Sequence, residues 1–262
     1  MDRTEFLNRL QKLELMDLNL IVHAALPAFG PETSAVTICE TLLEAVGPNG
    51  TIVMPAFTYS ETLFGPDKEP IAFRPESPVS PEVGTIAETF RTLPGVLRSS
   101  HPSHSFASYG RHARDVLSTQ RDNNPLGPIK KLNVLQGYVL LLGTQLRSAT
   151  VCHLAEEMAT YQFMHRGSGL RINAAGFAER VILENLPGCS VAFDRLEGRL
   201  DPEQVASTPL PDGIARKIPI RYLVRLASAA LTEDPAIFIC DRSNCESCEM
   251  KRAAIAGMPV AL

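Results

Sequence analysis

Apolar and polar positions follow two different periods in the first part of the chain. Residues 4–16 carry a leucine at every third position, which predicts a short amphipathic helix. The apolar runs LNLIVH (18–23) and TIVMP (51–55) predict two buried strands. Between them lies a predicted helix that Ser34 caps and Gly47 ends. This strand–helix–strand order predicts a parallel pair of strands with a right-handed crossover.

The rest of the chain continues with strands and helices. In order, the pattern predicts a proline-rich loop over 58–81, a helix that opens at Ser80-Pro81 and runs to Leu93, strands at 105–110 and 138–143, a helix from 153, a hairpin region within 167–195, a helix near 219–231 and a strand at 236–240. We therefore expect an α/β fold with a mixed, largely parallel central sheet, flanking helices and a smaller variable C-terminal region.

Composition narrows the class of protein. With 262 residues, 45% of them hydrophobic and 21% charged, the chain has enough apolar material for one large domain over 1–262. The formal net charge of -4 gives no basic excess for nucleic acid, although an acidic patch would attract a cationic substrate. The sequence contains no apolar run of about 18 residues, so we expect no membrane-spanning helix. The N-terminus lacks a signal-peptide pattern, and six cysteines are too sparse for a disulfide scaffold. We expect a cytoplasmic monomer or homodimer.

One histidine–carboxylate pair has the spacing of a catalytic unit. His153 and Glu156 are three residues apart on a predicted helix, so they share one helix face. That helix follows a buried strand, and ligands bind at the carboxyl ends of parallel strands. The carboxylate would orient the imidazole and stabilise its protonated form, which makes His153 a candidate general base. The alternative is an ordinary pair at a solvated helix end.

Other histidines are predicted near strand ends. His101 and His104 flank Pro102, which indicates either a metal site or a fixed bend with hydrogen bonds to the backbone. His23 ends the first predicted strand, where a single histidine is either structural or catalytic. We expect that one rim of the sheet gathers these histidines with His153.

Three cysteines cluster near the C-terminus. Cys240, Cys245 and Cys248 form a C-x4-C-x2-C pattern that suits zinc or a metal cluster. A tetrahedral zinc site needs a fourth ligand, which Cys189 or Asp241 would have to supply. Free thiols or a disulfide are the alternatives, and we assign no metal from the sequence.

Several segments together resemble one protein family. They are LLEAVGPNGTIVMPAF (42–57), GTIAETFR (84–91), PGVLRSSHPSHS (94–105), VLLLG (139–143) and HLAE (153–156). In sequence, order and spacing they resemble the aminoglycoside 3-N-acetyltransferases, the antibiotic N-acetyltransferase family. The resemblance defines a family-like core at about 18–163. It is weak beyond Gly167, where we expect a substrate-side region at about 167–215.

The resemblance implies an activity and its residues. It implies direct transfer of an acyl group from acetyl-CoA, or another acyl-CoA, to an amine of an aminoglycoside-like or other small molecule. His153 would take the amine proton, and Glu156 would orient His153 or hold the cationic substrate. The residues expected along the coenzyme A arm and the reacting carbonyl are His23, Ala24, Ala25, Ser100, His101 and Ser105.

The resemblance has one departure. Such proteins usually carry His-Ser-Ser-Leu at the first strand, whereas this chain reads His23-Ala24-Ala25-Leu26. Hydroxyls that would contact the donor are missing, so backbone N–H groups would have to replace them. The departure leaves open a non-catalytic relative that binds a small molecule or a partner, although the retained His153 and Glu156 argue against it. A third alternative is a metal-dependent hydrolase that uses the cysteines.

Overall fold

A computed structural model describes residues 1–58, 72–161 and 163–257. Their strands are β1 (Asn19–Ala24), β2 (Thr51–Pro55), β3 (Leu97–Arg98), β4 (Phe106–Gly110), β5 (Tyr138–Leu142), β6 (His165–Ile172), β7 (Ala178–Leu186), β8 (Ala206–Leu210) and β9 (Gly213–Pro219). Seven of them form one sheet in the order β3-β4-β2-β1-β5-β9-β8, and β6 and β7 form a separate hairpin.

Helices cover both faces of the sheet. They are α1 (Arg3–Gln11), α2 (Ala35–Val46), α3 (Thr85–Thr92), α4 (Ala113–Leu117), α5 (Gly127–Val134), α6 (His153–Met158), α7 (Ile220–Glu233) and α8 (Glu246–Ile255). In the part of the chain that the structure describes, none of these helices is long and apolar enough to cross a lipid bilayer.

The α/β class and the mixed central sheet are confirmed, but the sheet is less parallel than expected. Among the described strands of this sheet, β1 alone has parallel neighbours, with β2 on one side and β5 on the other. The flanking pairs β2–β4, β3–β4, β5–β9 and β8–β9 are antiparallel. Short connections explain part of the difference, because the links from β3 to β4 and from β8 to β9 contain no crossover helix and can only join antiparallel strands.

The central strands are buried on both faces. Along β5, Val139 and Leu141 join the core under α5, α6 and α7, while Leu140 and Leu142 join the core under α1, α2 and α3. Side chains alternate between the two faces of a strand, so a strand between two helical layers needs apolar residues at every position. This explains why the predicted strands at 18–23, 51–55 and 138–143 read as continuous apolar runs.

Three sequence predictions differ in detail. The segment 236–240 is a buried turn rather than a strand, because its backbone hydrogen bonds are local, from Ile237 to Asp234 and from Ile239 to Ala236. The helix expected from Ser80 begins only at α3, after the positive-φ cap Gly84. Most of the predicted 58–81 loop, residues 59–71, lies outside the described residues.

Gly110 is the position where the sheet most clearly requires glycine. Its φ is +107°, and an added Cβ would lie 2.1 Å from the carbonyl oxygen of Gly50. Gly176, in the β6–β7 turn, also has a positive φ of +83° but has open space around it. We expect Gly176→Ala to lower the free energy of unfolding by about 1 kcal/mol for the left-handed backbone.

Gly110→Ala should cost about 2 kcal/mol more than Gly176→Ala, because the backbone clash adds to the same conformational penalty. Urea unfolding of both variants and the wild type measures the difference. Equal losses in the two variants would show that β4 shifts away from Gly50 without cost.

Candidate active site

A cavity of about 510 Å³ opens at the carboxyl ends of β1, β2 and β5. This edge of parallel strands is where α/β proteins bind ligands. The lining residues include His23, Ala24 and Ala25 from β1 and its end, Met54 and Pro55 from β2, Thr144 and Arg147 after β5, Gly84 and Thr85 at the start of α3, and His153 of α6. Most of the cavity wall therefore comes from the family-like core at about 18–163, at the edge where its parallel strands end.

His153 is the first residue of α6, and two neighbours orient its ring. Its Nδ1 lies 2.6 Å from Oε2 of Glu156, one helical turn further on. The imidazole and the ring of Phe193 pack in a T-shaped arrangement, with the ring centroids 4.8 Å apart. The side chain is only 5% exposed, so His153 presents little surface apart from its place in the cavity wall.

Glu156 is a buried carboxylate with two partners. Its side chain is fully buried, and its second oxygen, Oε1, forms an ion pair with Nζ of Lys251, whose side chain is 2% exposed. Lys251 also donates to the carbonyl oxygen of Cys189 at 3.0 Å. The three side chains thus form a continuous buried chain, from His153 through Glu156 to Lys251.

The partners decide the ionisation of the carboxylate. Burial alone would raise the pKa of Glu156, but the hydrogen bond and charge of His153 and the ammonium group of Lys251 outweigh burial and lower that pKa. Glu156 is therefore ionised at neutral pH and accepts a hydrogen from Nδ1 of His153. Nε2 is then the ring nitrogen of His153 that can accept a proton.

The residues predicted around the first strand line the same cavity. His23 is 9% exposed, and among the described residues its Nε2 has no hydrogen-bond partner. Burial lowers the pKa of His23 to about 3, so the ring is neutral at physiological pH. The amide of Ala25 already donates to the carbonyl oxygen of Leu142 at 2.9 Å, so this N–H does not replace a missing hydroxyl.

The other residues predicted to bind the donor lie elsewhere. Ser100 and His101 line a second cavity, also of about 510 Å³, and the described lining residues of the two cavities do not overlap. Ser105 is fully buried, donates to the carbonyl oxygen of Ala56 at 2.7 Å and accepts from Nε of Arg98 at 3.0 Å. The structure therefore brings His23, Ala24 and Ala25 to His153, but not Ser100, His101 or Ser105.

His101 stabilises a bend in the backbone. Its Nδ1 accepts hydrogen bonds from the N–H groups of Ser103 at 3.3 Å and His104 at 3.0 Å. Burial and the charge of Arg171 lower the pKa of His101 to about 3. Within the described residues, neither His101 nor His104 belongs to a group of three or more potential metal ligands. Of the two sequence interpretations, the structure supports the hydrogen-bonded bend.

Sequence reasoning missed Lys251. A lysine on a short helix normally faces water, and only its position three residues after Cys248 connects it with a conspicuous pattern. Pro187, Gly188 and Ser190 also line the cavity. These three residues lie in the predicted substrate-side region at about 167–215, although no single motif marked them.

Comparison with known proteins identifies similar chains. A family model described as aminoglycoside 3-N-acetyltransferase matches residues 21–232. Aminoglycoside N(3)-acetyltransferase IV from Salmonella is 32% identical over 234 residues, which are 84% of this chain and 83% of the relative. The crystal structure of the aminoglycoside acetyltransferase AAC(3)-IVa apoenzyme superposes with a TM-score of 0.78 at 30% identity and covers 96% of both chains. A mutant of that enzyme in complex with gentamicin gives 0.81 at 28% identity, again covering 96% of both chains.

The Lys251–Glu156 ion pair should dominate stability at this site. In Lys251→Met the buried carboxylate loses its cationic partner, so we expect the free energy of unfolding at pH 7 to fall by about 3–5 kcal/mol. Lys130→Met is the matched control, because Lys130 pairs with the neighbouring Glu157 at 2.7 Å but is 42% exposed. This control should cost less than about 1 kcal/mol.

The loss in Lys251→Met should depend on pH. Since the folded-state pKa of Glu156 lies below its ordinary value of 4.5, the stabilisation is complete above that pH and disappears as the pH falls through the folded-state pKa. Urea unfolding of wild type and Lys251→Met between neutral and acidic pH measures the effect. A difference that stays constant down to the acid transition would mean that Lys251 acts through packing rather than charge.

Proposed function

We propose that this chain, which belongs to the aminoglycoside 3-N-acetyltransferase family, uses His153 as the general base in its N-acetyltransferase reaction. The acyl group comes from a coenzyme A thioester. The acceptor is an amino group of an aminoglycoside or a similar small molecule. The observation that carries the proposal is the buried His153–Glu156 hydrogen bond of 2.6 Å at the wall of the cavity. A histidine oriented by an ionised carboxylate is the arrangement that general-base catalysis needs.

The proposed chemistry is a direct transfer. An amine is mostly protonated near neutral pH and attacks only after losing a proton, which Nε2 of His153 accepts. The nitrogen then forms a bond to the thioester carbonyl carbon, the carbon–sulfur bond breaks, and the coenzyme A thiolate leaves. The thiolate takes up the second proton that the nitrogen loses as the amide forms, and His153 releases the first proton to solvent. Glu156 stabilises the imidazolium form of His153 during this step, and Lys251 keeps Glu156 ionised.

The acyl donor is proposed to lie along the end of β1. His23, Ala24 and Ala25 border the cavity that His153 also lines, and the neutral ring of His23 offers an unpaired Nε2 among the described residues. Acetyl-CoA is the donor that the family implies, and a coenzyme A donor fits a cytoplasmic enzyme. For His101 and Ser105 the hydrogen bonds favour support of the 99–105 loop over contact with the donor, and Ser100 lines the second cavity rather than the first.

The acceptor is proposed to be cationic. Arg147 in the cavity wall is paired with Asp194, so the carboxylate of Glu82 and the net charge of -4 favour a polyamine over an anion. Resistance to an aminoglycoside is the role that the named relatives suggest. A non-catalytic relative is less well supported, because a binding protein has no evident need for a buried His153–Glu156–Lys251 chain.

His153→Ala tests the proposed base. We expect kcat to fall by about 10² to 10⁴, the usual contribution of a general base, with little change in coenzyme A affinity. His112→Ala, a histidine outside both cavities, should leave kcat unchanged. Thiol release from acetyl-CoA with an aminoglycoside panel measures kcat, and calorimetry measures affinity. Undiminished turnover in His153→Ala would remove this residue from the mechanism.

Ala25→Ser tests the departure from the family pattern. If Ala25 borders the thioester, a restored hydroxyl should tighten acetyl-CoA binding by about 0.5–1.5 kcal/mol, the contribution of one hydrogen bond. Ala174→Ser, in the exposed β6–β7 turn, should have no effect. Calorimetric titration gives the affinities. If neither wild type nor Ala25→Ser binds any acyl-CoA, the acyltransferase proposal fails and a non-catalytic role becomes the better explanation.

A further inference from the structure

Four cysteines from three separate segments meet behind the active site. The Sγ atoms of Cys189, Cys240, Cys245 and Cys248 all lie within 4.8 Å of one another. Sulfur atoms around a tetrahedral zinc ion are about 3.8 Å apart, given zinc–sulfur bonds of about 2.3 Å. All four residues are free thiols, and the Sγ atoms of Cys240 and Cys248 are 3.5 Å apart. The cluster therefore has nearly the size of a four-thiolate metal site.

We propose that these four cysteines bind one zinc ion in a closed structural site. A complete set of four thiolates leaves no open coordination position, which is typical of structural rather than catalytic zinc. Cys189 supplies the fourth ligand that the C-x4-C-x2-C pattern lacks. Asp241, the alternative, is 92% exposed and pairs with Arg195 at 2.7 Å.

The surrounding backbone suits thiolates. The N–H of Cys240 lies 3.3 Å from Sγ of Cys248, and the N–H groups of Val191 and Arg242 are directed at the sulfurs of Cys189 and Cys240. Cys245 is the N-cap residue of α8, and Cys248 lies in the first turn of that helix. Backbone N–H groups and a helix N-terminus both stabilise negative sulfur. A disulfide would use only two of the four thiols and leave this convergence unexplained.

The proposed zinc ion would hold together two parts of the active site. Cys189 lies between Gly188 and Ser190, which line the cavity. Lys251 lies one helical turn after Cys248, bonds the carbonyl oxygen of Cys189 and pairs with Glu156. The zinc ion therefore fixes the cavity wall and places Lys251 against Glu156. This coupling, unlike the zinc site itself, rests on the proposed function.

Metal content tests the site without reference to activity. We expect purified wild-type protein to contain about one zinc per chain by mass spectrometry of metals, and to release it when a mercurial reagent titrates the thiols. Cobalt substitution should give the visible absorption of tetrahedral thiolate coordination. Cys245→Ser should lose the zinc, whereas Cys39→Ala, in the opposite core, should keep it. Wild-type protein with no zinc, or with iron in its place, would overturn the assignment.

Turnover tests the coupling. Lys251→Met should keep its zinc and lose kcat, while Cys245→Ser should lose both, since each change removes the lysine from Glu156. A zinc-free Cys245→Ser variant with wild-type kcat would overturn the coupling. A wild-type protein that holds zinc but transfers no acyl group would overturn the proposed function and leave the zinc site standing.

Discussion

The burial of one negative charge, that of Glu156, sets the requirements for the rest of the site. A buried carboxylate is tolerated only when its partners replace water, and here His153 and Lys251 occupy its two oxygens. His153 is a neighbour on the same helix, but Lys251 lies 95 residues further along the chain. The fold therefore has to bring α8 against α6, because the carboxylate keeps its charge when buried only if both partners are in place.

The sheet supplies one side of this arrangement, and the C-terminal segment supplies the other. The parallel strands β1, β2 and β5 end at the cavity, and the chain leaves β5 through short turns that place His153 at the start of α6. The opposite wall comes from residues beside Cys189, which Lys251 fixes through its carbonyl oxygen. Lys251 thus joins the segment around Cys189 to the carboxylate of Glu156.

Local sequence patterns predicted part of the fold and part of the candidate site. The continuous apolar run in β5 and the spacing of His153 and Glu156 depend only on nearby residues, so the sequence alone reveals them. The Lys251 contact has no period or motif, because it depends on how distant elements pack. The same limit explains the antiparallel outer strands and the segment 236–240, whose apolar run fits a strand or a buried turn equally well until its hydrogen bonds are known. The family resemblance pointed to His23, Ala24 and Ala25 together with Ser100 and His101, and it took the structure to show that the first three line one cavity and the other two line another.

His23 and His153 line the same cavity, but their surroundings suit only His153 to the proposed role of general base. His23 is buried without a charged partner, and burial lowers its pKa to about 3, so it stays neutral and cannot usefully accept a proton. His153 has the ionised carboxylate of Glu156 at 2.6 Å, which stabilises the imidazolium that proton transfer creates. That carboxylate remains ionised under burial because of its two partners. His153 thus differs from His23 because it has an ionised carboxylate beside it, and Glu156 stays ionised partly because of Lys251. Through Lys251, helix α8 therefore supports the proposed role of His153.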